Sequence, residues 1–332
     1  MSAAFHFQQL TPELMLDALQ SVQLYPATGL QPLNSYENRV YQFKTDDQQK
    51  VVVKFYRPER WTDGQILEEH QFISELHSAG LPVVAPQAVA GQTLLHWQDY
   101  RFSVFSGIAG RPFAAEQLDD FAALGELTGR IHAIGRRRRF LNRPVLNIAT
   151  DISMAIEHIL QSALLPAALY TDYQRVLQQL LQLVQSRPLT FTPIRLHGDL
   201  HAGNLLASPT LQLLDFDDCQ LGPAIQDCWL LLHGEAAAQQ LQLDVFLDEY
   251  QNYCDFDWSE LTLLEPLRCR RQLTYLAWLL RRWADPAFTQ HFPWLTETAF
   301  WQQQLLTLRQ QAQQLSEAPA IGQPRADNFG NC

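Results

Sequence analysis

The sequence predicts an α+β protein of two lobes, a small β-rich one at the N-terminus and a larger, mostly helical one after it. Three observations carry this. Val, Tyr and Phe alternate over residues 33–55; apolar residues recur at helical spacing over most of the chain beyond residue 118; and a short return to β-like texture between Pro193 and Cys219 interrupts the helical part. At roughly 100–200 residues per domain, 332 residues give room for two cores. The expected division is residues 1–105, residues 106–317, and a loosely held tail over 318–332, where Pro, Gly, Asn and Asp appear without periodicity.

Taken in order, Val40-Tyr41-Gln42-Phe43, a polar turn at Thr45 to Lys50, and Val51-Val52-Val53-Lys54-Phe55 form a hairpin pattern. Thr62 and Asp63 supply N-cap chemistry for a helix whose apolar residues are Ile66, Leu67, Phe72, Ile73 and Leu76, ending by Gly80. Leu81 to Pro86 reads as a proline-bounded extended link. Two more strands are expected at Ala88 to His96 and Tyr100 to Phe105, with Gln98-Asp99 turning between them. The first third is thus strands, one helix, then strands, with a joint near Ser106 to Gly110. Beyond it, helices are expected at Leu118 to His132, Met154 to Leu165 and Tyr173 to Ser186. Short β pieces follow at Ile194 to Leu196 and Leu211 to Phe216, then helical texture from Ile225 to Leu315.

Composition excludes several function classes. Lys plus Arg is 24 and Asp plus Glu is 35, so the net charge of −11 repels phosphate backbones and argues against a nucleic-acid binder. No window approaches the roughly 18 uninterrupted apolar residues of a membrane span. The nearest, Leu261 to Trp283, carries Glu265, Arg268, Arg270, Arg271, Arg281 and Arg282, and reads as a buried helix. The first ten residues lack a secretory pattern, and five cysteines without a C-x-x-C pair fit a reducing compartment, so a cytosolic location is expected. No heptad repeat is present, and a monomer is the expectation.

The chemistry concentrates in Leu196-His197-Gly198-Asp199-Leu200-His201-Ala202-Gly203-Asn204, followed by Asp215 in Leu213-Leu214-Asp215-Phe216-Asp217-Asp218. A loop between two short strands can project Asp199, Asn204 and Asp215 into one space. Two carboxylates and an amide oxygen are hard ligands that suit Mg²⁺, which completes its shell with water and substrate phosphates. The reaction suggested is phosphoryl transfer, where positioning and charge neutralisation supply most of the catalysis. It needs a cation on the phosphates. Lys54 closes an apolar strand where an ammonium is costly without an anionic partner, and Glu69 on the following helix, or Glu68 beside it, is the expected partner. A strand lysine, a helix glutamate, a catalytic Asp, then an Asn and a metal Asp is the order of parts in protein kinases.

These motifs resemble the aminoglycoside phosphotransferase and choline kinase superfamily, which has a kinase-like fold. Four further stretches, residues 33–41, 53–61, 222–227 and 281–288, look like the stress response kinase A family of bacteria, and the likeness runs from about Phe5 to Gln314. The resemblance implies ATP and Mg²⁺ as cofactors. It makes Asp199 the base or orienting group for the acceptor hydroxyl, Asn204 and Asp215 the metal ligands, and Lys54 the α/β-phosphate contact. Asn34 to Asn38 would form the loop over the phosphates, with Ser35 touching ATP, and Phe105 to Ile108 the segment whose backbone edge meets adenine. It further implies serine/threonine phosphorylation of a protein substrate, autophosphorylation included, in stress survival. One departure matters: no glycine-rich phosphate loop is present.

Other readings stand beside these. The acceptor can instead be an amino alcohol, sugar or aminoglycoside, which an acidic pocket around Asp217, Asp218, Asp255 and Asp257 would favour; an idle nucleotide-binding scaffold is a further alternative. His197 and His201 are four apart, but Gly198 argues against a shared helical face for zinc, and His197 is expected to pack under the loop and fix its backbone. Asp217 and Asp218 read as loop caps or substrate contacts, and Asp227 as an N-cap or a bracket for the loop. Arg136 to Arg139 form the one dense basic run, by default a solvated helix end, otherwise a dock for an acidic or phosphorylated protein. Trp278, Trp283, Phe288, Phe292 and Trp294 read as core.

Overall fold

The computed structural model describes residues 6–33, 35–207 and 211–317. Asn34 and the expected tail over 318–332 lie outside the described residues. The chain divides by compactness into two units, Met1–Glu116 with Ala133–Pro144 and His197–Cys219, and Gln117–His132 with Val145–Leu196 and Gln220–Cys332. Division by secondary-structure content at about Phe105 is thus a different cut from division by packing, because the first unit also holds the loop 197–219.

The first unit is built on a five-stranded antiparallel sheet of β1 (Gln31–Pro32), β2 (Arg39–Lys44), β3 (Lys50–Phe55), β4 (Leu95–Trp97) and β5 (Tyr100–Ser106), in the order β1-β2-β3-β5-β4. Side chains alternate between its faces. Val51, Val53, Phe55, Phe102 and Val104 fill one, beneath Phe7, Leu10, Met15, Ala18 and Leu19. The last three belong to α1 (Pro12–Ser21), a helix absent from the sequence-based expectation of one helix in this third. Its start is chemically marked: the Thr11 hydroxyl accepts from the Leu14 N–H, and Pro12 occupies the first turn. Register places Val40 and Ser103 opposite Lys54, and Phe105 opposite Val52, so these residues share the other face.

Helix α2 (Asp63–Ser78) begins at a capping box of Thr62 and Gln65 and buries Ile66, Glu69, Phe72, Ile73 and Leu76. Leu67, expected on the apolar face, is exposed. The link after α2 lies along strand β9 (Leu211–Leu213), with Val83 bridging Leu213 in parallel. The expected strand Ala88 to His96 is corrected: Val89 pairs with Gln92 across a tight turn whose Ala90 and Gly91 both have positive φ, so only Leu95–Trp97 is extended in the sheet. A second small sheet joins β6 (Arg111–Pro112), β8 (Leu205–Ala207) and β9.

The second unit is mainly helical: α3 (Leu118–Gly135, as far as His132), α4 (Ile148–Leu160), α5 (Tyr170–Gln185), α6 (Ala236–Tyr250), α7 (Leu264–Arg282), α8 (Pro286–His291) and α9 (Thr298–Ser316). The α4 helix starts earlier than Met154 because the Asn147 side chain caps it at the Thr150 N–H. It packs on α7, where Arg270 and Asp151 approach to 2.6 Å, while α5 packs on α9, where the Tyr173 hydroxyl donates to the Trp301 carbonyl. Trp278, Phe288, Phe292 and Trp294 contact one another in series, but only Phe288 is buried; the others, and Trp283, are half-buried and not the expected core. Asp227 is the last residue of a short 3₁₀ turn, Ala224–Asp227, with its carboxylate 3.1 Å from His132; it caps no following helix. Strand β7 (Ile194–Leu196) pairs with β10 (Gln220–Gly222). Among the described residues no helix is long and apolar enough to cross a membrane.

Candidate active site

Lys54 is nearly buried, and its ammonium lies 3.0 Å from Asp217, 3.1 Å from Asp215 and 3.6 Å from Glu69. Burial alone lowers the affinity of Lys54 for its proton, but the three carboxylates, Asp215 first, outweigh it and hold the ammonium well above the ordinary lysine range. Burial likewise pushes the Asp217 carboxyl up; Lys54 and Arg60 beside it reverse this and hold it well below the usual carboxylate range. At Glu69 burial wins, and its carboxyl is raised despite Lys54 and Arg143. By distance Asp217 and Asp215 are nearly equal, at 3.0 and 3.1 Å, and Asp217 is the buried one of the two.

Sequence reasoning left Asp217 as a loop cap or substrate contact, and the structure corrects this to a buried ion-pair partner of Lys54. The pattern Asp215-Phe216-Asp217-Asp218 singled out Asp215 as the metal ligand but did not tell Asp217 from Asp218. The structure separates them: Asp217 is inside, while the side chains of Asp215 and Asp218 are about half exposed. Asp215 has left-handed backbone, φ 56°, a region tolerated by Asp more than by bulky residues.

Between Glu68 and Glu69 the geometry is decisive. Glu68 accepts from the backbone N–H groups of Leu141, Asn142 and Arg143, whereas Glu69 faces Lys54 and is held from its second oxygen by Arg143 at 2.7 Å. Arg143 was not foreseen; it is buried, donates also to the carbonyls of Gln65 and Asp217, and lies over the Trp61 ring. The run Arg139-Phe140-Leu141-Asn142-Arg143 carries no motif that could have revealed it. Helix α2 is fixed to the loop by aromatic contacts too: Phe216 meets Phe72 edge-on at 5.9 Å and His197 at 4.6 Å, and Phe72 meets Phe140.

The loop between β7 and β8 carries Asp199 and Asn204. Gly198 takes φ +88°, which a side chain would strain, and so allows the chain to turn out of the strand. His197 is fully buried; its Nε2 donates to the Leu214 carbonyl and its Nδ1 accepts from the Asp199 N–H, tying the Asp199 backbone to the segment before Asp215. His201 Nδ1 accepts from the Gly203 N–H, which leaves its proton on Nε2, 3.3 Å from the Asp199 carboxylate. His201 is therefore an orienting group for Asp199 that sequence reasoning, occupied with zinc, passed over. A Cβ at position 203 would meet the His201 ring at 2.7 Å, so a side chain there would push the imidazole out of this position. Asn204 donates its amide N–H to the Asp199 carbonyl, which leaves the amide oxygen as the donor group for a cation. An amide oxygen and a half-exposed carboxylate, with room for water and phosphate oxygens, fit Mg²⁺.

The segment Ser35 to Asn38 is held without glycines. Arg57 donates to the carbonyls of Tyr36 and Glu37, its N–H goes to the Asn38 side chain, and the Glu37 carboxylate lies 3.1 Å from Arg57 and 2.9 Å from Arg60. Arg60 continues to Asp218 at 2.6 Å and Asp217 at 3.3 Å. Ser35 sits half-buried at the head of this segment, and its neighbour Asn34 lies outside the described residues. On the sheet face that Lys54 shares, Val40, Val52 and Phe105 are half-buried apolar residues, and Ile108 follows just beyond β5, where the Gly107 N–H bonds to the Lys50 carbonyl. The structure brings together Lys54, Glu69, Asp215 and Asp217, and separately Asp199, His201 and Asn204. Leu214, whose N–H donates to the Asn204 carbonyl, joins the two groups.

Comparison with known proteins places the chain in a phosphotransferase family. Residues 29–264 match the model of APH, the phosphotransferase enzyme family. The chain is 45% identical to "Stress response kinase A" of Escherichia coli O157:H7 over 319 residues, covering 96% of this chain and 97% of the relative. It is also 45% identical to "Serine/threonine protein kinase RdoA" of Salmonella typhimurium strain LT2 over 317 residues, 95% and 97% of the two chains. Its fold is similar to that of amicoumacin kinase hAmiN, solved with AMP-PNP, Ca²⁺ and Ami, at TM-score 0.72, 19% identity and 95% and 97% coverage. The choline kinase LicA from Streptococcus pneumoniae follows at TM-score 0.60, 14% identity and 93% and 99% coverage.

Proposed function

The chain belongs to the APH phosphotransferase enzyme family and is an ATP-dependent kinase, and from that premise we propose that it phosphorylates serine and threonine hydroxyls of protein substrates in a bacterial stress response. The observation that carries the catalytic reading is the Lys54–Asp215 contact at 3.1 Å, with Asp199 and Asn204 fixed to the same loop system by Leu214 and His197. The protein acceptor is supported by the name of the RdoA relative at 45% identity over nearly the whole chain.

In this reading Lys54 holds the α/β-phosphates, and Val40, Val52 and Phe105 offer adenine an apolar face. Asp215 and the Asn204 amide oxygen hold Mg²⁺, which when bound neutralises the phosphate oxygens and the charge developing during transfer. Asp199, oriented by His201 Nε2–H, accepts the acceptor hydroxyl's proton or aligns that hydroxyl for attack. Arg57 and Arg60 keep Ser35 to Asn38 in place over the phosphates.

A small-molecule acceptor would be favoured by an acidic, cation-recognising pocket. Asp217 and Asp218 are instead engaged by Lys54 and Arg60, and Asp257 caps its own 3₁₀ turn at Ser259. The deciding experiment is incubation with Mg²⁺ and γ-labelled ATP, alone and with a generic basic protein, followed by phosphosite mapping. Phosphoserine or phosphothreonine that disappears in Asp199→Ala, while ATP binding persists, is the expected result. ATP binding without protein labelling would defeat the protein acceptor, and near-normal turnover by Asp199→Ala would defeat the assignment of that residue.

A further inference from the structure

Helix α2 has two faces with different employment. Glu69, Phe72, Ile73 and Leu76 point inward, toward Lys54 and the aromatic contacts. Gln71, Ser74, Glu75 and Ser78, spaced three and four apart, line a cavity of about 610 Å³ together with Ile134, Arg137 and Arg138. That volume lies within the roughly 300–1,000 Å³ of ligand pockets. Arg136 to Arg139 follow directly on the end of α3 and are all exposed, four consecutive cations on a chain of net charge −11. Arg138 stands 3.5 Å from Glu75 across the groove, so a carboxylate already meets a guanidinium here.

We propose that this groove docks an acidic segment of the protein substrate, its carboxylates pairing with Arg137 and Arg138 and its main chain lying along the amide and hydroxyl groups of Gln71, Ser74 and Ser78. The proposal rests on the protein-kinase reading for the identity of the partner. Charge complementarity selects the occupant. Guanidinium groups hold carboxylates in bidentate pairs, and hydroxyls and amides suit a peptide backbone. A nucleic acid fits less well, because no aromatic side chain lines the groove to stack a base, and the net charge of the chain repels a long polyanion. None of the lining residues belongs to the catalytic machinery, so docking adds affinity without altering the transfer step. In kinetic terms it lowers KM and leaves kcat unchanged.

The test uses a fluorescein-labelled peptide rich in Asp and Glu and free of Ser, Thr and Tyr, with a charge-neutral counterpart, titrated with the full chain by fluorescence anisotropy. The acidic peptide is expected to bind at least tenfold more tightly than the neutral one, and more weakly at high salt. Arg137→Ser with Arg138→Ser should remove that preference. Ser78→Glu, which keeps every arginine, should weaken binding at least fivefold, and both variants should phosphorylate a protein without an acidic segment at the wild-type rate. Appending the acidic segment to a phosphorylated peptide substrate should lower KM in the wild type and not in the variants. Equal binding of acidic and neutral peptides, variants that bind like wild type, or stronger competition by a single-stranded oligonucleotide would overturn the proposal. If the groove-dependent peptide binding appears but no protein is ever phosphorylated, the protein acceptor fails and the acidic-peptide site stands.

Discussion

Two adjacent carboxylates, Asp217 and Asp218, should respond very differently to the same conservative change. In Asp217→Asn the side chain keeps its shape but loses the charge that faces Lys54 at 3.0 Å and Arg60 at 3.3 Å, with only about 5% of its surface exposed. Removing one partner of a buried ion pair costs about 3–5 kcal/mol. Lys54 keeps Asp215 at 3.1 Å and Glu69 at 3.6 Å, which reduces the expected loss to about 2–3 kcal/mol, or some 30-fold to 150-fold in the unfolding equilibrium. Asp218 is 47% exposed, so Asp218→Asn should cost less than about 1 kcal/mol despite a 2.6 Å contact with Arg60. Urea unfolding at neutral pH, with the m-value checked for constancy, measures both. The sign of the acid dependence follows: a carboxyl depressed in the folded state stabilises above its unfolded value near 4 and loses that contribution as pH falls below it. Asp217→Asn should therefore flatten the acid limb of stability below about pH 4. Equal effects of the two variants, or a loss under about 1 kcal/mol for Asp217→Asn, would refute the assignment of the buried partner.

His201→Ala should lower kcat about 10-fold to 100-fold with the ATP dissociation constant within a factor of two, since His201 touches Asp199 and not the Lys54 group; steady-state kinetics beside nucleotide titration separates the two. Arg60→Gln should raise the KM for ATP, because it frees Glu37 and loosens the Ser35 to Asn38 segment while Arg57 remains; unchanged KM would remove Arg60 from the support of that segment. His70, bonded to Tyr56 and Thr93, is depressed to about 3 by burial and then by Lys54 and Arg143. Between about pH 6.5 and 3 the unfolded state binds the extra proton, so stability should fall by up to about 1.4 kcal/mol per pH unit as pH drops through that window. The difference between wild type and His70→Gln in chemical unfolding at pH 7, 6 and 5 reads it.

Patterns of short period were legible in the sequence, and pairings between distant side chains were not. The hairpin of β2 and β3 followed from alternation, and α2 from Thr62 and its apolar spacing; the observed register then aligned Lys54 with Val40 and Ser103. Helix α1 was overlooked although Thr11-Pro12-Glu13 is a good start signal, because its buried residues complete a core whose other half lies in the strands. The Ala88 to His96 run was read as one strand because alternation says nothing of a residue such as Ala90 with φ 50°. In the candidate site, Asp199, Asn204 and Asp215 lie within 17 positions and so could be proposed together from the sequence. Asp217, Arg60 and Arg143 could not, since each matters through a partner 74 to 163 positions away, Lys54, Asp217 or Glu69.

Lys54 and Asp215 hold each other at 3.1 Å, and this single contact links the two ligands the site is read to take. A phosphate reaching Lys54 must displace Asp215 from the ammonium, and a cation reaching Asp215 must draw the carboxylate from Lys54. Either one alone would break the pair, leaving Asp215 without its ammonium or Lys54 with two carboxylates in place of three. Both together would exchange it, with Lys54 holding phosphate and Asp215 holding the cation. Asp217 at 3.0 Å and Glu69 at 3.6 Å would still face Lys54 and hold the ammonium in position. ATP and Mg²⁺ should therefore bind with positive coupling beyond their association in solution. Asp215→Asn, which weakens both contacts of residue 215, should abolish most of that coupling, whereas Glu69→Gln should weaken ATP binding and retain it. Calorimetric titrations of ATP with and without Mg²⁺, in wild type and both variants, measure the coupling; equal Mg²⁺ dependence in all three would show that the Lys54–Asp215 pair does not connect the two sites.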